Sequence, residues 1–548
     1  MKPSFVSLSV SISVALALSA SGHATGPKFY PDDPIVRDFE TQDASAVQER
    51  DASQLYDAVE NSVLGAGERA DIRALNVNTI DEVPDSSWFT NRAGARSMTV
   101  DEIAKGPDRG SGPALGIWMV TGKKTEGVTP GLTITDQKGD KYWIKFDPTS
   151  NPEMASGAEV ISTKLFHAFG YYVPENYIAT FRREDLRIAP GTKVLDVDRR
   201  EQDMTERDID DVLERAAQNE DGTYRVLASL NLPGEPRGPF RYYGTRPDDP
   251  NDIFPHEHRR ELRGLLVFSA WLNHDEVRSA NTLDTLIRVD GRTIVRHNLL
   301  DFGSTLGSGS IQAQSRRAGN EFVWEARPTL ITMLTLGLYV RPWIKVPYPE
   351  LPAIGRFEST YFRPELWKAD YPNPAFKNAR ADDRFWAARI VAAIPDDAVR
   401  AVVRTARYSD PRAADYLTET LLARKSKVLR SWLSGTNPIV QPSLTASGTL
   451  TFDNAAESVG VAKAAERYTI EWSRFDNNAQ THTWIGGEAT LRERRAQAPP
   501  DLLAARPDFV AARIRAFHPD YPAWSEPVVV YFRRAAEAWT LVGLERGE

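Results

Sequence analysis

Lys145, Glu159, Asp275, Asn281 and Asp301 follow one another in an order that suits phosphoryl transfer. That chemistry asks a protein for positioning and charge neutralisation more than for covalent steps. It needs a cation against the phosphates and an acid that holds the cation in place. It also needs an aspartate that orients or deprotonates the acceptor, and oxygen donors for a divalent metal. Lys145 and Glu159 match the first two roles, Asp275 the third, and Asn281 with Asp301 the metal. Each residue alone has an ordinary reading: an edge-strand lysine, a solvated helix glutamate, a polar turn at a helix end. The ordered set carries more than its members. Gly122-Lys123-Lys124-Thr125-Glu126-Gly127 adds a glycine-bounded loop. With Gly122 and Gly127 at its ends, its backbone N–H groups could cover phosphates, although such hairpin turns are frequent.

These residues need elements to hold them. Alternating patterns predict strands over 115–120, 132–135 and 142–146, and period two puts Lys141, Trp143 and Lys145 on one face. Pro152 opens a helix over 153–169 that Gly170 closes, with Glu159 beside the stripe Ala158, Ile161 and Leu165. A strand follows over 173–180. The stretch 185–255 is polar and reads as an insertion beside the cleft. A strong helix over 257–272 leads into Asn273-His274-Asp275, and Asp290-Gly291 turns a hairpin of 285–289 with 293–300. Asp301 then stands at a strand end, in Leu300-Asp301-Phe302-Gly303. Residues 320–435 are mainly helical.

Tyr142-Trp143-Ile144-Lys145-Phe146, Ala158-Glu159 and Phe169-Gly170-Tyr171-Tyr172-Val173-Pro174 resemble the small lobe of atypical protein kinases, of the HipA and secreted CotH types. Asn273-His274-Asp275 to Asn281 and Leu300-Asp301-Phe302-Gly303 resemble their catalytic and metal-binding loops. The resemblance covers 111–435. It implies an α+β, two-lobed kinase-like fold, with ATP and Mg²⁺ or Mn²⁺ in the cleft. It also implies a nucleotide as partner and a protein or small molecule as acceptor. Asn281 follows Asp275 by six positions, where such kinases place it at five, and a basic neighbour is missing at 276 and 277. A pseudokinase that only binds, or nucleotidyl transfer on the same fold, are the alternatives.

The whole chain bounds these readings. It has 548 residues, 41% of them hydrophobic, enough for two to four structural units with sizeable cores. Lys2, an apolar run over 5–20 and Gly22-His23-Ala24 read as a secretory signal over 1–24, so the expected location is periplasmic or secreted. The expected units are an N-terminal extension over 25–110, a small lobe over 111–180 and a large lobe over 181–435. A β-sandwich over 438–548 follows the Gly435-Thr436-Asn437-Pro438 boundary. With 67 basic and 75 acidic residues the charge is −8, which argues against a nucleic-acid partner. The absence of cysteine excludes disulfides and thiolate sites. The later apolar run at 330–340 is too short to span a bilayer. His256-Glu257-His258 has the wrong spacing for a helical zinc pair, and Gly307-Ser308-Gly309-Ser310 is a loop rather than a nucleophile elbow.

Overall fold

Alternation builds the first sheet. In the strand Lys141–Phe146, Tyr142, Ile144 and Phe146 are buried and the intervening residues are more exposed. The buried set joins Trp118, Val120, Leu132, Phe181 and Val226 in one core. In this computed structural model, residues 26–38, 40–51, 53–124, 129–195, 200–536 and 538–547 are described. The expected leader over 1–24 and Gly127 lie outside the described residues.

Six strands make that sheet, in the order Asn176–Phe181, Tyr224–Leu230, Lys141–Phe146, Gly131–Thr135, Trp118–Lys123, Leu186–Ile188. All neighbours are antiparallel except the last pair. This corrects the expected boundary at residue 180. Tyr224–Leu230 is not part of a large-lobe insertion; it lies beside the strand that carries Lys145. The helix Glu206–Leu213 buries Ile209, Val212 and Leu213 in the same core. The chain from 186 to 230 therefore completes the first sheet.

The helix Met154–Phe169 packs behind the sheet and is buried on nearly every side. Val160 meets Ile178 and Leu227 of the sheet. On its other side, Phe169 stacks on Phe268 of the helix Arg260–Leu272, with ring centroids 4.3 Å apart. Gly170 ends the helix at φ +128°, where a Cβ would lie 2.3 Å from the Phe89 ring. The hairpin Thr282–Val289 with Arg292–Leu299 turns through Asp290 and Gly291, both at positive φ. Two left-handed residues in a two-residue loop match the twist of the strands they join.

The helices Ala381–Ala392, Asp396–Arg404 and Pro411–Trp432 close the helical core around Arg260–Leu272. After Pro438 the chain is mostly β. A five-stranded and a three-stranded antiparallel sheet contribute Ile470, Val510 and Val530, and Leu444, Leu450 and Phe452, to a shared core. The N-terminal segment runs to this region, where Phe29 packs against Phe475 and Tyr531. The whole is a mixed α+β molecule with several sheets. Among the described residues no helix is long and apolar enough to cross a membrane.

Candidate active site

Lys145 leaves the sheet on the face opposite the core, in register with Gly131 and Leu227. Its Nζ donates to both carboxylate oxygens of Glu159, at 3.1 and 3.2 Å, and to Oδ1 of Asp301 at 2.8 Å. Three of the expected site residues, from a strand, a helix and a loop, therefore meet at one ammonium. The expectation placed Glu159 at the margin of the core; it is 3% exposed.

Charge follows from this geometry. Lys145 pulls the Asp301 carboxyl down to about 2 against the opposing effect of burial, with Lys124 and Arg278 adding to the pull. Burial pulls the Lys145 ammonium down, but Asp301 and Glu159 outweigh it and hold it above its ordinary value. Burial pushes Glu159 up, and Lys145 opposes this in part.

Asp301 is held by its neighbours in sequence. Leu300 N donates to the Asn281 carbonyl at 2.9 Å, which ties the hairpin end to the loop before it. Asp301 takes φ +58°, a left-handed backbone uncommon for a residue with a side chain. Phe302 is fully buried and stacks on Phe166 of the Glu159 helix at 4.7 Å. Gly303 needs its missing side chain: a Cβ would stand 3.2 Å from Ser310 Oγ and 3.3 Å from Glu159 Oε2.

Asp275 is buried, with its carboxyl bonded inside the fold. The helix Arg260–Leu272 ends at Asn273 with φ +52°, and the turn carries Asp275 inward. Its Oδ1 accepts from Gln314 Nε2 at 2.7 Å, and its carbonyl accepts from Asp370 N at 2.9 Å. Burial, then Asp370 and Glu276, push its carboxyl well up. The next residue, Glu276, is half-buried and pairs with Arg278 at 2.8 Å. Burial pushes Glu276 up, Arg278 opposes, and Asp301 and Asp370 push it further. His274 is buried between Phe166 and Phe302, and burial pulls it down to about 4.

Asn281 donates its amide to the Glu276 carbonyl at 2.9 Å. Its Oδ1 accepts no hydrogen bond among the described residues. Gly122 lies within the strand Trp118–Lys123, where the register slips between Val120 and Gly122, so a glycine loop does not begin there. Sequence reasoning passed over Glu276, Gln314 and Lys124. Counting back five from Asn281 reaches Glu276, and that spacing was the available signal for it.

Among the described residues no three His, Asp or Glu side chains gather as a ready-made metal centre. The oxygen donors here are Asp301, anionic through its depressed pKa, and the Asn281 amide oxygen, which has no partner among the described residues. That donor set fits Mg²⁺, which takes one or two protein oxygens and completes its shell with phosphate oxygens and water.

The chain matches no known protein family. No curated protein matches it either. A solved structure, the Helicobacter pylori proinflammatory kinase CtkA, is similar over 57% of this chain and 94% of its own. The identity is 12% and the TM-score 0.30, a likeness that fixes neither fold nor activity.

Proposed function

We propose that the chain is an exported, two-lobed, kinase-like phosphotransferase that uses ATP with Mg²⁺ or Mn²⁺. The observation that carries the reading is the meeting of Lys145, Glu159 and Asp301. Burying an ammonium with two carboxylates carries a desolvation cost that an apolar core would avoid, and such clusters gather at functional sites.

Lys145 offers its ammonium to phosphate oxygens, while Glu159 keeps it from swinging away. Asp301 and Asn281 would hold the metal, which when bound neutralises charge on the phosphates. Gly303 keeps the Asp301 turn close to Glu159. Of the two adjacent acids, Glu276 is the one that takes the acceptor's proton: its carboxyl is half-buried and paired with Arg278, whereas Gln314 holds Asp275 inside. Asp275 then positions the loop. A raised carboxyl suits a general base working near neutral pH.

Turnover with ATP and Mn²⁺ or Mg²⁺ tests the reading. Glu276→Gln is expected to lower kcat by roughly 10²–10⁴ while nucleotide binding persists, and Asp275→Asn to keep most activity. The reverse pattern returns the proton-accepting role to Asp275. The burial of Asp275 favours a second reading, an envelope protein that binds nucleotide without turnover. Nucleotide-dependent stabilisation with no product after long incubation would select it. The mass of any modified acceptor separates phosphate from nucleotidyl addition.

A further inference from the structure

Residues 323–345 carry an apolar surface that nothing among the described residues covers. The helix Ala326–Leu334 has no buried residue. Leu330, Met333 and Leu334 are exposed on it, and the five residues 336–340 that follow are all exposed. Leu336 is 92% and Leu338 85% exposed. An isolated exposed leucine is ordinary; a run of them on consecutive residues is not.

We propose that this segment inserts into the interface of an anionic lipid bilayer. Consecutive exposed residues point to more than one side, so a protein groove would cover only part of them, while lipid covers the whole. Trp324 and Trp343 flank the apolar run and Tyr339 lies near its end, and such rings favour the headgroup level of a membrane. Arg327 and Lys345 bracket it with no acidic partner among the described residues. The nearby acids are already engaged: Glu321 with Arg341 at 2.8 Å and Glu325 with Lys368 at 2.5 Å. The free charge around the apolar run is therefore positive, complementary to anionic headgroups. A helix of nine residues is about 14 Å long. It enters one leaflet and does not span.

The base of the segment is tied to the candidate site. Val323 N donates to the Asp370 carbonyl at 2.7 Å, and Asp370 N to the Asp275 carbonyl at 2.9 Å. Insertion holds that side of the cleft near the membrane, whatever reaction the cleft performs.

The chain has no cysteine, so one introduced thiol reports one position. Leu338→Cys and, as control in the C-terminal region, the exposed Ala464→Cys are labelled with an environment-sensitive dye. Vesicles of phosphatidylcholine, with or without phosphatidylglycerol, are then added. The expected result is a blue shift at 338 and none at 464, stronger with phosphatidylglycerol and weakened by salt. Arg327→Glu with Lys345→Glu removes the lipid preference, and Leu334→Glu with Leu336→Glu lowers partition by roughly tenfold or more. All these side chains are exposed, so an unchanged melting temperature verifies the fold. No shift at 338 with either vesicle overturns the proposal. So does a wild-type dimer that Leu336→Glu dissolves, which would assign the surface to a second copy.

Discussion

A carboxylate as buried as Glu159 keeps its charge only if a cation stays within contact, and Lys145 supplies it at 3.1 Å. The same ammonium also neutralises Asp301. Lys145→Ala therefore leaves two acids facing each other, one of them buried, and should cost about 3 kcal/mol of stability. The pH dependence has a definite sign. Burial already pushes Glu159 up, and removing Lys145 removes the opposing pull. A folded carboxyl raised above its unfolded value is fully stabilising below that value, and the contribution is lost as pH rises through the folded one. The gap between Lys145→Ala and wild type should thus widen as pH rises above the ordinary carboxylate range, about pH 4, in urea titrations. A gap independent of pH would contradict the arrangement. At this scale the sequence was partly legible. Period two placed Lys145 correctly, and a strand end followed by Phe302 and Gly303 marked Asp301. Asp275 and Glu276 are neighbours of like chemistry, and only the turn at Asn273 decides which one is buried.

At the scale of elements, the site depends on how closely a loop approaches a helix. Gly303→Ala would set a methyl 3.3 Å from Glu159 Oε2, so the acid or the loop must shift by a few tenths of an ångström. We expect nucleotide affinity to fall about tenfold and stability by only about 1 kcal/mol. Calorimetry and thermal melts on one variant separate the two. Gly170→Ala is the contrast: it presses on the Phe89 ring and the Thr90 carbonyl far from Lys145. It should lower stability by about 2 kcal/mol or more and leave affinity in the surviving folded protein unchanged. Local elements were readable because their signals are local: caps, period two, Asp290-Gly291. Tyr224–Leu230 was not. Its partner strand lies some eighty residues earlier, and a pairing that distant leaves no trace in a window of ten residues. The helix Gln54–Val59 is a further case: it turns Leu55 outward, while Asp57 is buried and accepts from Ser279 Oγ in the loop before Asn281.

At the scale of the molecule, both ends of the described chain hold the C-terminal sheets to the helical core. Lys28 pairs with Glu545 at 2.6 Å. Arg546 pairs with Asp81 at 3.2 Å and donates to the carbonyls of Asn437 and Ile439. Asp81 also meets Arg260, which is fully buried between Asp81, Asp382 and Asp383. Burial pushes Asp81 up, but Arg260, Arg546 and Arg73 outweigh it and hold it well below the carboxylate range. A depressed carboxyl stabilises above its unfolded value and loses that contribution as pH falls. Acid unfolding should therefore set in below about pH 4. Arg546→Ala should raise the midpoint pH and cost about 3 kcal/mol. It should also open the 435–438 connection to protease, and an unchanged digestion pattern would contradict the linkage. No sequence signal announced this network, because its members come from four separate stretches of chain.

The central claim is that the Lys145–Glu159–Asp301 cluster is a nucleotide–metal site. Isothermal calorimetry of ATP against the wild-type protein and Asp301→Asn, each with and without Mg²⁺, tests it most directly. The account predicts saturable, Mg²⁺-dependent heat for the wild type and loss of the Mg²⁺ dependence in Asp301→Asn. Absence of ATP binding by a folded wild-type protein with either Mg²⁺ or Mn²⁺, or identical Mg²⁺-dependent binding by both proteins, would contradict it.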